Sequence, residues 1–164
     1  MVAFSFVTFL LENQKKSKVN GSRHCYSFNF EKNHLPLKLS KVHHIAIICS
    51  NYSNSKKFYT KILGLEIIRE VYRAERDSYK LDLALNGDYI IELFSFPNPP
   101  ARPSRPEALG LRHLAFEVQD IEAAVADLKV KGVETEPIRT DEYTGKRFTF
   151  FTDPDGLPLE LYEV

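Results

Sequence analysis

Two histidines and two glutamates stand at matching places in two similar stretches of this chain. His44-Ile45-Ala46-Ile47 has a counterpart in His113-Leu114-Ala115-Phe116, and Ile91-Glu92-Leu93-Phe94 has one in Leu159-Glu160-Leu161-Tyr162. Glu92 follows His44 by 48 residues, and Glu160 follows His113 by 47. In a strand, residues two apart share a face. His44 therefore lies with Ala46 and Ile48 and opposite Ile45 and Ile47, and His113 lies with Ala115 and opposite Leu114 and Phe116. Each glutamate is the polar residue between two apolar neighbours that read as core. A carboxylate in that setting is costly unless it is paired or bound to a cation. Two imidazoles and two carboxylates suit a divalent ion in both charge and donor type. Nitrogen and oxygen donors without sulfur favour Zn, Ni, Co, Mn or Fe. Four protein ligands on a six-coordinate ion leave two positions for water or substrate, which permits catalysis.

A lone histidine on a strand is usually structural, and His43 is expected to be so. A lone glutamate on a strand usually faces solvent. The in-register repeat of both residue types is what points to a metal, because chance would have to place each type twice.

The elements that must position these four residues also repeat. KVHHIAIICS (41–50) is rich in β-branched residues and predicts a strand. NYSNSKKFYTKILG (51–64) predicts a helix, capped by Asn51 or Ser53 and ended by Gly64. EIIREVYR (66–73), YKLDLALNG (79–87) and DYIIELFSF (88–96) predict three further strands, with a tight turn at Asn86-Gly87. A proline-rich stretch over 97–110 excludes helix or central strand and joins the halves. The order then recurs. LRHLAFEV (111–118) is a strand, and DIEAAVADLKVKG (120–132) is a helix capped by Asp120. Strands over 132–140, 146–152 and 157–164 follow, with an Asp153-Pro154-Asp155-Gly156 turn before the last. A fixed repeat of this kind governs the whole fold reading. Residues 1–36 lack such patterning and read as a poorly ordered extension, with one domain over 37–164. Within that domain, module one spans 39–96 and module two spans 111–164.

Composition bounds the partners. Lys+Arg and Asp+Glu each total 22, so the formal net charge is zero, which argues against a general nucleic-acid or anionic-membrane binder. The apolar run Val2–Leu11 lacks a positive flank and a small-residue cleavage site, and is read as non-secretory. Cys25 and Cys49 form no C-x-x-C pair, so neither a thiolate metal site nor a disulfide scaffold is expected, and a reducing, cytoplasmic setting is the default.

VHHIAI, FYTKILGLE, IELFSF, LRHLAFEV and FTDPDGLPLELYE together resemble the vicinal oxygen chelate superfamily, in particular its glyoxalase I-like bacterial members, from about Leu39 to Val164. The resemblance implies an α+β fold of two tandem βαβββ modules, whose mixed eight-stranded sheet curls around a metal held by His44, Glu92, His113 and Glu160. It also implies a small-molecule substrate and a homodimer. Both a site closed within one chain and a site shared between chains occur in the superfamily. The implied reaction is proton transfer next to a carbonyl, with Glu160 as base and Glu92 as the symmetric alternative. Glutathione-dependent relatives carry an arginine four residues after the first ligand histidine. Here that residue is Ile48, which argues against glutathione as co-substrate. Arg73, Arg76, Arg112, Lys146 and Arg147 are the candidate contacts for an anionic substrate.

Two other function classes are weighed against this one. A ring-cleaving Fe(II) dioxygenase generally uses two histidines and one glutamate, so Glu92 counts against it. A drug-sequestering binding module tends to lose the metal ligands, and all four are present here. One prediction follows from the patterning alone: deleting residues 1–36 leaves the melting temperature and metal content of the remaining chain near those of the full protein. Insolubility of a chain beginning at Leu37 would contradict this.

Overall fold

The alternating segments assemble as two copies of one small unit. The computed structural model describes residues 37–164, so the expected extension over 1–36 lies outside the described residues. Residues Ser40–Val164 form one compact unit. Its elements are β1 (Ile45–Cys49), α1 (Tyr52–Lys57), β2 (Glu66–Arg73), β3 (Ser78–Leu85), β4 (Asp88–Ser95), β5 (Leu114–Val118), α2 (Ile121–Val130), β6 (Arg139–Thr140), β7 (Arg147–Thr152) and β8 (Pro158–Glu163). The strands form two mixed four-stranded sheets, ordered β1-β4-β3-β2 and β5-β8-β7-β6. In each sheet the first and last strands of the module run parallel, and the other neighbours run antiparallel. The eight strands are thus two open sheets of the same order, rather than one continuous ladder.

Each sheet has a core face and an open face. Ile47, Cys49, Leu81, Leu83, Ile91 and Leu93 of the first module are buried with Phe58, Tyr59 and Leu65. Leu159, Leu161, Phe151, Ile121 and Leu128 of the second join the same cluster. Ala46 and Ile48 in β1 and Ala115 in β5 point the other way and are exposed. Among the described residues, no helix is long and apolar enough to cross a membrane.

The ends of the elements follow local chemistry. Asn51 caps α1 by accepting the Asn54 N–H at 3.0 Å, and Asp120 caps α2 by accepting the Ala123 N–H at 3.0 Å. The segment expected as one helix over 51–64 changes pitch at Phe58. Phe58–Ile62 is π-helical, and the Leu63 N–H bonds the Phe58 carbonyl at 3.0 Å. The Thr60 hydroxyl bonds the Lys56 carbonyl at 2.7 Å, the kind of back-bonding that disturbs a regular helix. Asn86 and Gly87 turn with φ of 52° and 84°, as a two-residue hairpin requires. The strand expected over 132–140 shrinks to Arg139–Thr140. Pro137 has no N–H for a ladder. The chain before it is fastened singly, by Glu136 N–H to Phe150 O at 2.7 Å and by the Thr149 hydroxyl to Glu136 O at 2.7 Å.

The Asp153–Gly156 turn fixes module two to module one. The buried Tyr59 hydroxyl donates to Asp153 Oδ2 at 2.9 Å. The other oxygen of Asp153 accepts the Asp155 and Leu157 N–H groups at 2.9 and 2.8 Å. Asp155 in turn accepts the Ser50 N–H at 3.1 Å and the hydroxyls of Ser50 and Ser55. Burial pushes the Asp153 carboxyl above its ordinary value, against the pull of these donors. Residues 153–157 thereby set where β8 begins, and with it the position of Glu160. Asp153→Ala leaves two buried donors and the half-buried Asp155 N–H without an acceptor, and is expected to cost about 2–4 kcal/mol of unfolding free energy. Tyr59→Phe should cost about 1–2 kcal/mol. Denaturant titration measures both, and an Asp153→Ala loss below that of Tyr59→Phe would contradict the assignment.

Candidate metal centre

His44 immediately precedes β1, and Glu92 lies at the middle of the neighbouring β4. The parallel register pairs Ala46 with Glu92, so the histidine and the carboxylate emerge side by side on the open face. His44 Nε2 is 3.1 Å from Glu92 Oε2. Module two repeats the arrangement. His113 precedes β5, Ala115 pairs with Glu160 of β8, and His113 Nε2 is 3.0 Å from Glu160 Oε2. The flanking Ile91 and Leu93, and Leu159 and Leu161, fill the core behind and fix the two glutamates in position.

Around this shared pair the two modules differ. Lys80 and Asp82 of β3 share the open face with Glu92. Lys80 Nζ is 2.5 Å from Glu92 Oε1 and also bonds Asp82. Arg69 clamps the other Asp82 oxygen through Nε at 2.9 Å and Nη2 at 2.6 Å. Asp82 is only 1% exposed, so this neutralisation is what permits its charge. The Tyr89 hydroxyl donates to Glu92 at 2.7 Å and to Asp82 at 3.0 Å, and its ring stacks on His44 at 5.1 Å. Burial alone would raise the Glu92 carboxyl. The Lys80 and Tyr89 donors outweigh it and hold that carboxyl below its ordinary range. Asp82 is lowered in the same way, burial being outweighed by Lys80, Arg69 and Tyr89.

By register, Phe148 and Phe150 of β7 stand where module one has Lys80 and Asp82. Phe150 meets the His113 ring edge-on at 5.2 Å. Arg139 lies over Phe148 at 4.9 Å, and Arg112 lies over Phe150 at 5.9 Å. Glu160 is 9% exposed, and His113 is the one polar side chain that meets it among the described residues. A hollow of about 460 Å³ opens beside Phe150, lined also by Arg105, Arg112, Glu136 and Arg139.

Each His–Glu separation is that of an ordinary ion pair and also that of two neighbouring ligands on one divalent ion. Two adjacent ligands at about 2.1 Å from an octahedral ion lie about 3.0 Å apart. The two His–Glu separations are 3.1 and 3.0 Å. One outer contact bears on whether His113 could serve as a ligand. Arg112 Nη1 lies 3.2 Å from His113 Nδ1, and while it donates there the ring proton sits on Nε2. If His113 held a metal through Nε2, its ring proton would sit on Nδ1, and Arg112 would have to leave the ring. Each pair stays with its own module. Among the described residues, no three His, Cys, Asp or Glu side chains converge on one point within the chain.

The remaining expected contacts fall in different places. Ile48 lies on the face of His44 and is 55% exposed. It lines a hollow with Pro99, Pro100 and Leu111. Arg73 is on the open face, where it lies over Phe94. Arg76 is exposed in the turn after β2, and Lys146 is exposed before β7. Arg147 is not brought to the site. It alternates with Phe148, so it faces the helix side, where Glu163 holds it at 2.7 and 2.6 Å and Glu122 at 2.8 Å. Sequence reading missed Lys80, Asp82 and Tyr89. The first two were visible as polar residues alternating with Leu81 and Leu83 in YKLDLAL. Tyr89 was not, because simple alternation puts it opposite Glu92. A register shift inserts Ile90 as an extra residue in β4 and turns Tyr89 onto the open face.

Comparison with known proteins places this architecture. The chain is 68% identical over 125 residues to uncharacterized protein YwkD of Bacillus subtilis (strain 168), covering 76% of this chain and 98% of that protein. It is similar to the crystal structure of a glyoxalase family protein from Enterococcus faecalis, at 55% identity and a TM-score of 0.71, over 75% of this chain and 97% of that one. A more distant relative is the lactoylglutathione lyase of Schizosaccharomyces pombe (strain 972 / ATCC 24843). It is 28% identical over 145 residues, which cover 74% of this chain and 46% of the lyase. The family model of the Glyoxalase/Bleomycin resistance protein/Dioxygenase superfamily matches residues 41–161, both modules included, and the chain belongs to that superfamily.

Proposed function

We propose that the protein is a metal-dependent lyase or isomerase that moves a proton next to a carbonyl of a small anionic substrate. The observation that carries this reading is the repeated His–Glu pair, set at 3.1 and 3.0 Å on the open faces of two sheets of the same order. The S. pombe lyase among its relatives supports the reaction class. His44, Glu92, His113 and Glu160 would hold one divalent ion, which when bound polarises the substrate carbonyl.

The two pairs meet across a homodimer in this reading. Within one chain they stay apart, and the open faces carry apolar side chains that a second copy would cover, among them Ile48 and Val71. Module one of one chain then faces module two of the other, giving two sites per dimer.

The chain's own groups divide the chemistry. Glu92 already accepts donors from Lys80 and Tyr89, which hold it in place and satisfy its charge. Glu160 has no such donors among the described residues and lies against aromatic rings. It is the group free to take the proton from the carbon beside the carbonyl and return it to the neighbouring carbon. Tyr89 and Lys80 are positioning residues for Glu92. Ile48 itself brings no charge to a glutathione carboxylate, and Arg102, a cation lining the same hollow, is held by the Ser104 hydroxyl and the Leu111 carbonyl, so the glutathione–methylglyoxal adduct is a poor substrate in this reading.

Two experiments test the reading. In the metal-loaded protein, Glu160→Gln should slow exchange of the carbon-bound proton of a bound carbonyl compound in heavy water by about 10²–10⁴-fold, while Glu92→Gln slows it less. Equal exchange in wild type and both variants would remove the proton-transfer role. For the shared site, His44→Ala and His113→Ala chains are purified separately and bind little metal. Mixing and refolding them together should restore about half of the wild-type metal content per mixed dimer, because one of its two sites regains both histidines. No recovery would show that the site closes within a chain.

A further inference from the structure

On the open face of module one sits a guanidinium that no carboxylate among the described residues neutralises. Arg73, at the end of β2, lies over Phe94 at 4.9 Å and over Phe96 at 5.6 Å. These rings stack on one another at 6.0 Å and form a flat bed. The Nη2 group of Arg73 donates to the Ser78 hydroxyl at 2.6 Å, and its Nε–H is buried without a partner among the described residues. Arg69 is paired with Asp82 and Arg139 with Glu136 at 2.9 Å, while Arg112 of module two lies against His113. A half-buried guanidinium with one neutral partner and a buried, unpaired N–H is an unfavourable arrangement that an anion would improve. Its aromatic bed holds it in one orientation, which removes the ordering cost of binding.

Its place relative to Glu92 sets the size of that anion's carrier. Phe94 follows Glu92 by two residues on the same face, a spacing of about 7 Å along the strand. Lys80 sits between them, 5.9 Å from the Phe94 ring and 2.5 Å from Glu92, and its charge is met by Glu92 and Asp82, so Arg73 is the next cation along this face without a carboxylate among the described residues. We propose that Arg73 is the recognition residue for a second anionic group of the substrate. The substrate class is a small oxo or hydroxy acid with a terminal carboxylate about three to four bonds from the carbonyl. This rests on the metal-site reading above for the position of the carbonyl, and on Arg73 and its bed for the distal anion.

The test uses the full chain, with Mn(II) as the metal and two probes differing only in the distal carboxylate, 2-oxoglutarate and 2-oxobutyrate. Isothermal titration measures Mn(II) uptake first and then each probe on the loaded protein. Wild type should prefer 2-oxoglutarate by about 10- to 100-fold, the range of a charge-assisted pair. Arg73→Met keeps an unbranched chain against the rings without the charge. It should bind Mn(II) as wild type does and lose the preference, both probes binding as 2-oxobutyrate does. Arg73→Lys should retain part of the preference, and thermal melts report whether each variant folds. No preference in wild type, or an undiminished preference in folded Arg73→Met, overturns the proposal. If wild type takes up no Mn(II), the metal reading falls separately. Arg73 is then judged on glutarate against butyrate in the metal-free protein, where equal binding of the two likewise overturns it.

Discussion

The structure turns on the cost of placing a carboxylate on an inner strand of a sheet. Glu92 and Glu160 are each flanked in sequence by residues buried at the centre of the core, so neither can retreat to solvent. Such a charge must be met where it stands. The fold meets it the same way twice. A parallel pairing of the first and last strands of each module delivers an imidazole to within 3.1 Å of each carboxylate. The parallel pairing in turn demands a crossover, which α1 and α2 supply while covering the opposite face. The repeated order of strand, helix and three strands is what this one juxtaposition requires.

Beyond the shared pair, the modules have diverged in a way that gives the two glutamates different surroundings. Module one surrounds Glu92 with Lys80, Tyr89, Asp82 and Arg69, a network in which every charge has a partner. Module two surrounds Glu160 with Phe150 and the guanidinium groups stacked on it. The first arrangement holds a carboxylate still and satisfied. The second leaves a carboxylate with few competing donors in an aromatic wall. Two ligands of one type can then serve different roles, one mainly structural and one chemical, without any change in the strand geometry that carries them.

The four ligand candidates and the two-module order were legible because they depend on local pattern. Strand periodicity puts His44 and Ile48 on one face, and the burial of Ile47 and Cys49 against the exposure of Ile48 agrees with it. The turn at Asn86-Gly87 and the caps at Asn51 and Asp120 are set by the residues that form them. What escaped reading depends on partners distant in sequence or on irregularity. The segment before Arg139 looked like a strand, but Pro137 and the single bonds to Phe150 and Thr149 leave it outside the ladder. Tyr89 reaches Glu92 only through a bulge. Arg147 was indistinguishable from Arg73 as a surface cation until its partners Glu122 and Glu163 were seen to lie on the helix side. That the two His–Glu pairs stay apart within a chain depends on how the sheets are placed, which no local pattern encodes.

The central claim is that His44, Glu92, His113 and Glu160 bind one ion together. X-ray absorption spectroscopy of the Co(II)-loaded full chain reads this most directly, since imidazole rings scatter in a countable way. The account predicts one ion per chain, coordinated only by nitrogen and oxygen at about 2.1 Å, with two imidazoles per ion. One imidazole per ion with two ions per chain would show that each pair binds alone. An ion without imidazole ligands would contradict the site altogether.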